Sequence, residues 1–251
     1  MKSIDKEVFL APSIKKHYIL FVIRKALLKA VTDQLPILKG TLVDIGCGIK
    51  PYREYILENS AVTDYIGVEW RGLSYHLSVE PEKYWDGKVL PFGDESVDSC
   101  MATEVFEHLS DPVAVGAEAH RILKPGGVLF LTVPFLWPLH EVPYDEYRYT
   151  PFSLKRVLRA AGFNEENITI KATGGWYASL AQMITHVLGI HFSPKSPYRK
   201  WLIRLTLPLV VWLQKKDRPP LNFKDHTMPL GYSVVATKFQ NAQKIVSSVE
   251  L

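Results

Sequence analysis

The sequence predicts an α/β fold, a largely parallel sheet covered by helices on both faces. Short apolar runs recur along the chain at the length of buried parallel strands. Segments with helical periodicity and readable caps separate them. Strands alternating with helices specify crossover connections, and these build a parallel sheet. The 251 residues, 47% hydrophobic and 22% charged, suit one large domain with additions and exclude a wholly disordered chain.

The elements follow in order. Tyr18 to Val31, rich in apolar residues with Arg24, Lys25 and Lys29 interspersed, reads as an N-terminal helix. Thr41 to Ile45 is the first strand and ends at Gly46. Asp64 to Glu69, Ser74 to Val79 and Val97 to Ala102 are the second, third and fourth. Asp111 then offers a side-chain acceptor as N-cap and Pro112 fits the first helical position. Val115, Ala119, Ile122 and Leu123 share one helix face, and Pro125-Gly126-Gly127 ends the helix. Gly127 to Val133 is the fifth strand. Thr150-Pro151 opens another helix with Leu154, Val157, Leu158 and Ala161 on one face, and Gly162 stops it. Asn167 to Ala172 and Tyr232 to Thr237 complete the sheet. The chain divides into an N-terminal helical segment (1–39), a core (40–172), a helical insertion or lid (173–228), and a last strand with its tail (229–251).

Charge and cysteine content narrow the class. Thirty basic and 26 acidic residues leave a net charge of +4. Cys47 and Cys100 cannot build a disulfide framework, so the expected compartment is the cytoplasm. The start of the chain carries Asp5 and Glu7 and lacks a small-residue cleavage site, unlike a signal peptide. Thr173 to Ser193 holds no charged side chain other than histidine and is expected to be a buried helix. Leu202 to Leu213 is broken by Arg204 and Pro208 and is too short to span a bilayer. Lys195, Arg199, Lys200, Arg204, Lys215, Lys216 and Arg218 face Asp217 alone. This stretch (195–218) suits peripheral contact with an anionic membrane at its inner face, a lid, a dimer contact, or a helix pair with a solvated basic face.

The chemistry centres on the end of the first strand. Asp44-Ile45-Gly46-Cys47-Gly48 lets the backbone turn tightly and a ligand approach closely. Glu69 ends the next strand about 20 residues later, where a carboxylate accepts bonds from ribose hydroxyls. Pro51 replaces the third glycine of a dinucleotide fingerprint. Asp44 is unfavourable beside a phosphate and favourable beside an amino group. No phosphate-binding loop of the G-x-x-x-x-G-K type is present. The pattern suits a nucleoside with a cationic tail.

Leu42-Val-Asp-Ile-Gly-Cys-Gly48 resembles the first motif of class I S-adenosylmethionine-dependent methyltransferases. The similarity continues through Asp86-Gly-Lys-Val-Leu-Pro-Phe92, Asp94-Glu-Ser-Val-Asp98, Ala102-Thr-Glu-Val-Phe-Glu-His-Leu109, Asp111-Pro112 and Arg121-Ile-Leu-Lys-Pro-Gly-Gly127. It covers roughly residues 40–175, with Gly231 to Lys238 resembling the closing strand. The chain is similar to the small-molecule, type-11-like branch that includes quinone methylases. The resemblance implies a Rossmann-like doubly wound sheet of order 3-2-1-4-5-7-6 with the seventh strand antiparallel. It implies S-adenosylmethionine as cofactor. Gly46, Cys47 and Gly48 would lie under its methionine part, Cys47 as a small packing residue, with Asp44 near the ammonium. Glu69 would bind ribose, Asp86 the adenine amino group and the Gly87 N–H the ring, while Thr103 and Glu104 would line the cofactor. Glu107 and His108 are expected to be structural. Strand four ends in Ala102-Thr-Glu-Val105, unlike amino-methylating nucleic-acid enzymes, so no nucleic-acid partner is expected.

The loop after strand five, Pro134 to Thr150, is dense in polar and aromatic groups. It resembles a His-Glu-x-Pro-x-Asp-x-x-Arg-Tyr-Thr pattern of a methyltransferase subgroup often found with sugar-polymer biosynthesis enzymes. Methyl transfer needs close alignment of acceptor and methyl carbon, and a hydroxyl acceptor must also lose a proton. His140 is the candidate base. Asp145 or Glu141 would orient it or bind sugar hydroxyls. Arg148 offers two-pronged binding to a phosphate or carboxylate. Tyr144, Tyr147 and Trp137 offer stacking. The alternative is that the loop packs on itself, with Arg148 bridging Asp145 or Glu141. His140, Glu141 and Asp145 match no strong metal spacing, and no metal is expected. The expected activity is methylation, more often on oxygen, of a small-molecule, glycan or lipid-linked acceptor in cell-surface polysaccharide or related biosynthesis. A quinone- or lipid-type enzyme at a membrane surface and a non-catalytic binding module are the alternatives.

Overall fold

The first sheet strand, β1 (Lys39–Ile45), lies in the middle of a seven-stranded sheet. The structure, a computed structural model, describes residues 7–72, 79–193 and 195–239. On one side β1 pairs in parallel with β2 (Ala61–Trp70), which carries β3 (Lys83–Trp85). On the other it pairs with β4 (Val97–Thr103), and β4 with β5 (Leu123–Pro134). β7 (Gly231–Thr237) runs antiparallel between β5 and β6 (Ile168–Ala172). The order is β3-β2-β1-β4-β5-β7-β6, as the resemblance implied.

Both faces of the sheet are covered, so the central strands read as continuous apolar runs rather than alternating ones. Alternate residues still divide between two cores. Leu42, Met101 and Phe130 share a core with Val8 and Phe9 of α1 (Glu7–Leu10), Ala30 and Val31 of α2 (Phe21–Gln34) and Ile56 of α3 (Arg53–Asn59). Val43, Cys100 and Leu129 face Val115 and Ala119 of α4 (Pro112–Ile122) and Leu154 and Leu158 of α5 (Pro151–Ala160). The expected caps are in place. Asp111 accepts from the Ala114 N–H at 3.0 Å, and Thr150 and Ser153 cap α5 reciprocally.

Three elements differ from the sequence reading. The expected third strand, Ser74 to Val79, lies almost wholly outside the described residues, and the strand beside β2 is Lys83–Trp85, immediately before Asp86. Pro125-Gly126-Gly127 does not separate helix from strand. β5 starts at Leu123, and the segment is a bulge: Val97 pairs with Leu123, but Ser99 pairs with Val128. The third difference is α6 (Trp176–His191), expected to be buried. It buries its small and polar residues, Ala178, Ser179, Ala181, Gln182 and Thr185, and exposes Trp176, Leu180, Met183, Val187 and Ile190. Gln182 explains the facing. Its Oε1 accepts from the Ile23 N–H at 3.1 Å and its Nε2 donates to the Ile19 carbonyl at 3.0 Å, pinning α6 to the N-terminal segment. α7 (Pro197–Lys216) follows, packed on α6, and Val210 and Leu213 join Val22, Ile23 and Leu27 in a third core. Among the described residues no helix is long and apolar enough to cross a membrane.

Candidate functional site

The glycine loop leaves β1 at the carboxyl end of the sheet. Gly46 and Gly48 have φ of +67° and +51°, the left-handed region that glycine adopts without a Cβ penalty. A side chain at Gly46 would strike Val105, whereas a Cβ at Gly48 would meet nothing within 4 Å. The space over Gly48 is open to a ligand. Glu69, at the end of β2, holds this loop. Its Oε2 accepts from the Gly48 N–H at 2.7 Å and its Oε1 from the Trp70 N–H at 2.9 Å. Burial pushes its carboxyl upward against those two bonds. A carboxylate has about four acceptor positions, so the clamp leaves capacity for ribose hydroxyls.

Asp44 is 2% exposed and accepts a hydrogen bond from Tyr65 through Oδ2, while Oδ1 is buried without a partner. Burial raises its carboxyl to about 7. Asp44 thus offers a buried acidic oxygen without a hydrogen-bond partner two residues before Gly46, and an ammonium group is chemically suited to it. Cys47 is buried, packs on Gly67 and has its thiol pushed up by burial, which suits packing and not nucleophilic chemistry.

Asp86 is exposed. Its Oδ1 accepts from the Lys88 and Val89 N–H groups at 2.8 and 3.0 Å, and these bonds lower its carboxyl. Gly87 has φ +85°, and an added Cβ would lie 3.2 Å from the Trp70 indole nitrogen. Trp70 in turn meets Tyr144 edge to face at 5.8 Å. The indole therefore joins the Gly87 turn to the loop after β5, a role the sequence reading missed.

Beyond β4, Thr103 is half-buried and Glu104 has φ +56°, with its N–H donating to the Thr132 carbonyl at 3.0 Å. Burial raises the Glu104 carboxyl to about 7. Glu107 is fully buried with neither oxygen hydrogen-bonded, Oε1 lies 3.8 Å from His108 Nε2, and burial pushes the carboxyl well above the usual range.

In the loop after β5, His140 and Asp145 come together. Asp145 Oδ2 lies 3.2 Å from His140 Nδ1 and accepts from the His140 backbone N–H at 3.1 Å. Arg148 grips both Asp145 oxygens at 2.7 and 2.8 Å and holds that carboxyl well below its usual range. Arg148 also donates to the carbonyls of Trp137, Pro138 and Tyr147. Its guanidinium is engaged inside the loop, the packing alternative, and not held out toward a substrate anion. Burial lowers the His140 imidazole despite the Asp145 carboxylate beside it. Glu141 and Tyr144 are exposed at the rim, and the charge of Glu141 is felt at Glu69. The aromatic Trp137 stacks edge-on against His186 of α6 at 4.6 Å, joining the loop to the helical insertion.

Residues 43–131 match the family described as a methyltransferase domain. Relatives are described as uncharacterized methyltransferases. An uncharacterized methyltransferase of Mycobacterium tuberculosis is 32% identical over 146 residues, 54% of this chain and 57% of the relative. One from Mycobacterium leprae is 34% identical over 146 residues, 54% of each. A S-adenosylmethionine-dependent methyltransferase structure from Archaeoglobus fulgidus aligns over 92% of this chain and 97% of its own, with a TM-score of 0.52 and 18% identity, and shows the shared fold. Residues 43–131 are thus similar to a methyltransferase domain, and the seven-stranded sheet that holds them shares the fold of that structure. The chain spans a little over half the length of the curated relatives it matches. The matched region runs from β1 to β5 and so includes the glycine loop, Glu69, Asp86 and Glu104. The loop holding His140 lies beyond it.

Proposed function

We propose that this chain transfers a methyl group from S-adenosylmethionine to a hydroxyl of a small-molecule, glycan or lipid-linked acceptor, as in cell-surface polysaccharide biosynthesis. What supports the cofactor reading is the unpartnered, buried oxygen of Asp44 on β1 together with the open space at Gly48 in the loop that follows. The cofactor supplies an electrophilic methyl group on a sulfonium. Asp44 would hold the ammonium, Glu69 the ribose, and Asp86 with Gly87 the adenine. His140 receives the acceptor's proton through Nε2, because Nδ1 is taken by Asp145, and Asp145 positions the ring. Glu141 and Tyr144 at the rim would contact the acceptor. Calorimetric titration of the pure protein with S-adenosylmethionine tests the cofactor half, and absence of binding sinks it. A mass-spectrometric screen for acceptors that gain a methyl group tests the other half. Tight cofactor binding with no methylated product from any acceptor favours the non-catalytic module.

A lipid-linked acceptor is the second reading, and the surface of α6 and α7 favours it. Trp176, Leu180, Met183, Val187 and Ile190 form one exposed stripe, and Tyr198, Trp201, Leu205, Leu209 and Trp212 form another on the packed partner helix. Tyr177 and Trp212 link the two at 6.1 Å. Large apolar patches with a basic surround suit an anionic bilayer, and seven lysines and arginines against Asp217 supply that charge. Flotation with phosphatidylglycerol-containing vesicles is expected to carry the chain upward, and pure phosphatidylcholine to carry less. Trp201→Ser with Leu205→Ser should abolish flotation. A wild-type chain that stays at the bottom with both vesicle types refutes membrane docking, and dimers lost in that double variant assign the stripes to a subunit contact instead.

A further inference from the structure

We propose that Glu107, His108 and His140 hold a divalent transition-metal ion that binds the acceptor's oxygen. The inference rests on the methyl-transfer reading and goes deeper into the same site. It also departs from the sequence reading, in which Glu107 and His108 were structural and no metal was expected. One ligand atom from each of the three residues lies within 4.8 Å of the others. Glu107 adds an independent observation. It is 0% exposed, yet neither carboxylate oxygen has a hydrogen-bond partner. A buried carboxylate in this state is costly, and proteins relieve the cost with a partner or a cation.

The two histidines are prepared as metal-binding imidazoles are. His140 Nδ1 faces the Asp145 carboxylate at 3.2 Å, and His108 Nδ1 faces the Tyr144 carbonyl at 3.2 Å. Partners of this kind fix the tautomer and leave Nε2 for the ion. The rings meet edge to face with centroids 4.7 Å apart. Arg148 in turn locks Asp145, so the engagement of its guanidinium within the loop acquires a purpose. Two imidazoles and one carboxylate form a donor set that accepts Zn²⁺ or Mn²⁺ and leaves coordination positions open. An acceptor hydroxyl fits one open position, and adjacent hydroxyls of a sugar fit two. In the ion-loaded protein His140 is a ligand. The ion then lowers the hydroxyl's pKa and the proton passes to water. Proton uptake by His140 Nε2 belongs to the ion-free protein.

The test uses the full chain, stripped with a chelator, dialysed, and titrated calorimetrically with Zn²⁺ and separately with Mn²⁺. One ion per chain is expected. Glu107→Gln keeps the shape of the side chain and should weaken binding tenfold or more. Asp145→Asn, one step removed from the ion, should weaken it by about 10–100-fold. His191→Gln, at the far end of α6, should bind as wild type does. Failure of the wild-type chain to bind either ion stoichiometrically overturns the proposal, as does Glu107→Gln binding at wild-type strength. S-adenosylmethionine is titrated into the same samples. Ion binding without cofactor binding leaves the metal site standing and removes the methyl-transfer reading, and the reverse result removes only the metal site.

Discussion

Glu69 is the residue where fold and ligand binding are hardest to separate, and substitution there separates them. Its two oxygens accept backbone N–H bonds from Gly48 and Trp70, at 2.7 and 2.9 Å. At 6% exposure, water cannot replace them readily. Glu69→Gln retains one acceptor but turns an amide NH₂ toward the other N–H, so a charge-assisted bond is lost and a donor is left facing a donor. That change costs about 1.5–3 kcal/mol of folding stability. Glu69→Ala loses both bonds and costs more. Loss of the ribose bonds adds about 1–3 kcal/mol of lost cofactor binding, roughly a 5- to 150-fold rise in Kd. Urea unfolding without ligand measures the first effect, and calorimetric titration of the folded variant measures the second. Wild-type stability in Glu69→Gln refutes the clamp. A Glu69→Ala protein that folds, is less stable and still binds cofactor at the wild-type Kd refutes ribose binding.

The remaining predictions concern pH, the base and the helix pin. Asp44 has its carboxyl raised to about 7 in the fold, so its contribution to stability is fully present below its unfolded value and is lost as pH rises through 7. Ligand-free protein should therefore be less stable to urea at pH 8 than at pH 5, by up to a few kcal/mol, and Asp44→Asn should flatten that dependence; an unchanged slope in the variant counts against it. His140→Ala should lower turnover by about 10²–10⁴-fold while S-adenosylmethionine affinity stays at the wild-type value, and equal loss of both would mark the residue as structural. Gln182→Leu strands the Ile23 N–H and the Ile19 carbonyl, and urea unfolding should show a loss of about 1–3 kcal/mol for each group left unpaired.

What the sequence reveals here is mostly what local chemistry determines. The caps at Asp111 and Thr150 depend on side chains three residues from their targets, and both appear as read. The glycine loop is legible because only glycine takes positive φ freely, and it follows an apolar strand. The misreadings share the opposite cause. β3 has three residues, too few for periodicity, and exists because β2 offers an edge for Lys83–Trp85 to pair with. The Pro125-Gly126-Gly127 segment looks like a stop, but β4 pairs on both sides of it and makes it a bulge. α6 shows a strong apolar stripe, and core packing would normally claim that stripe; two hydrogen bonds at Gln182 turn the opposite face inward. Glu104 and Glu107 stand three apart after the fourth strand, the first expected to line the cofactor and the second to be structural. That Glu107 is sealed off, and that His140 arrives beside His108 from 32 positions away, is settled only by the docking of the loop after β5.

The electrostatics of the carboxyl end of the sheet bind these observations together. Asp44, Glu69 and Glu107 are buried, and Glu104 has a buried oxygen. Among the described residues none of the four has a lysine or arginine at ion-pair distance; Lys50, the buried cation nearest the glycine loop in sequence, is paired with Glu82 at 2.6 Å. Concentrating uncompensated carboxylates costs stability, and a fold that keeps them must recover that cost elsewhere. A phosphate ligand would worsen the balance. A sulfonium with an ammonium tail at Asp44 would improve it, and so would the proposed divalent ion at Glu107. Each ligand that binds only the folded chain adds RT ln(1 + [L]/Kd) to its stability. The two proposed cations would act on separate carboxylates, so the shifts in unfolding free energy they produce should be roughly additive unless the acceptor loop couples them.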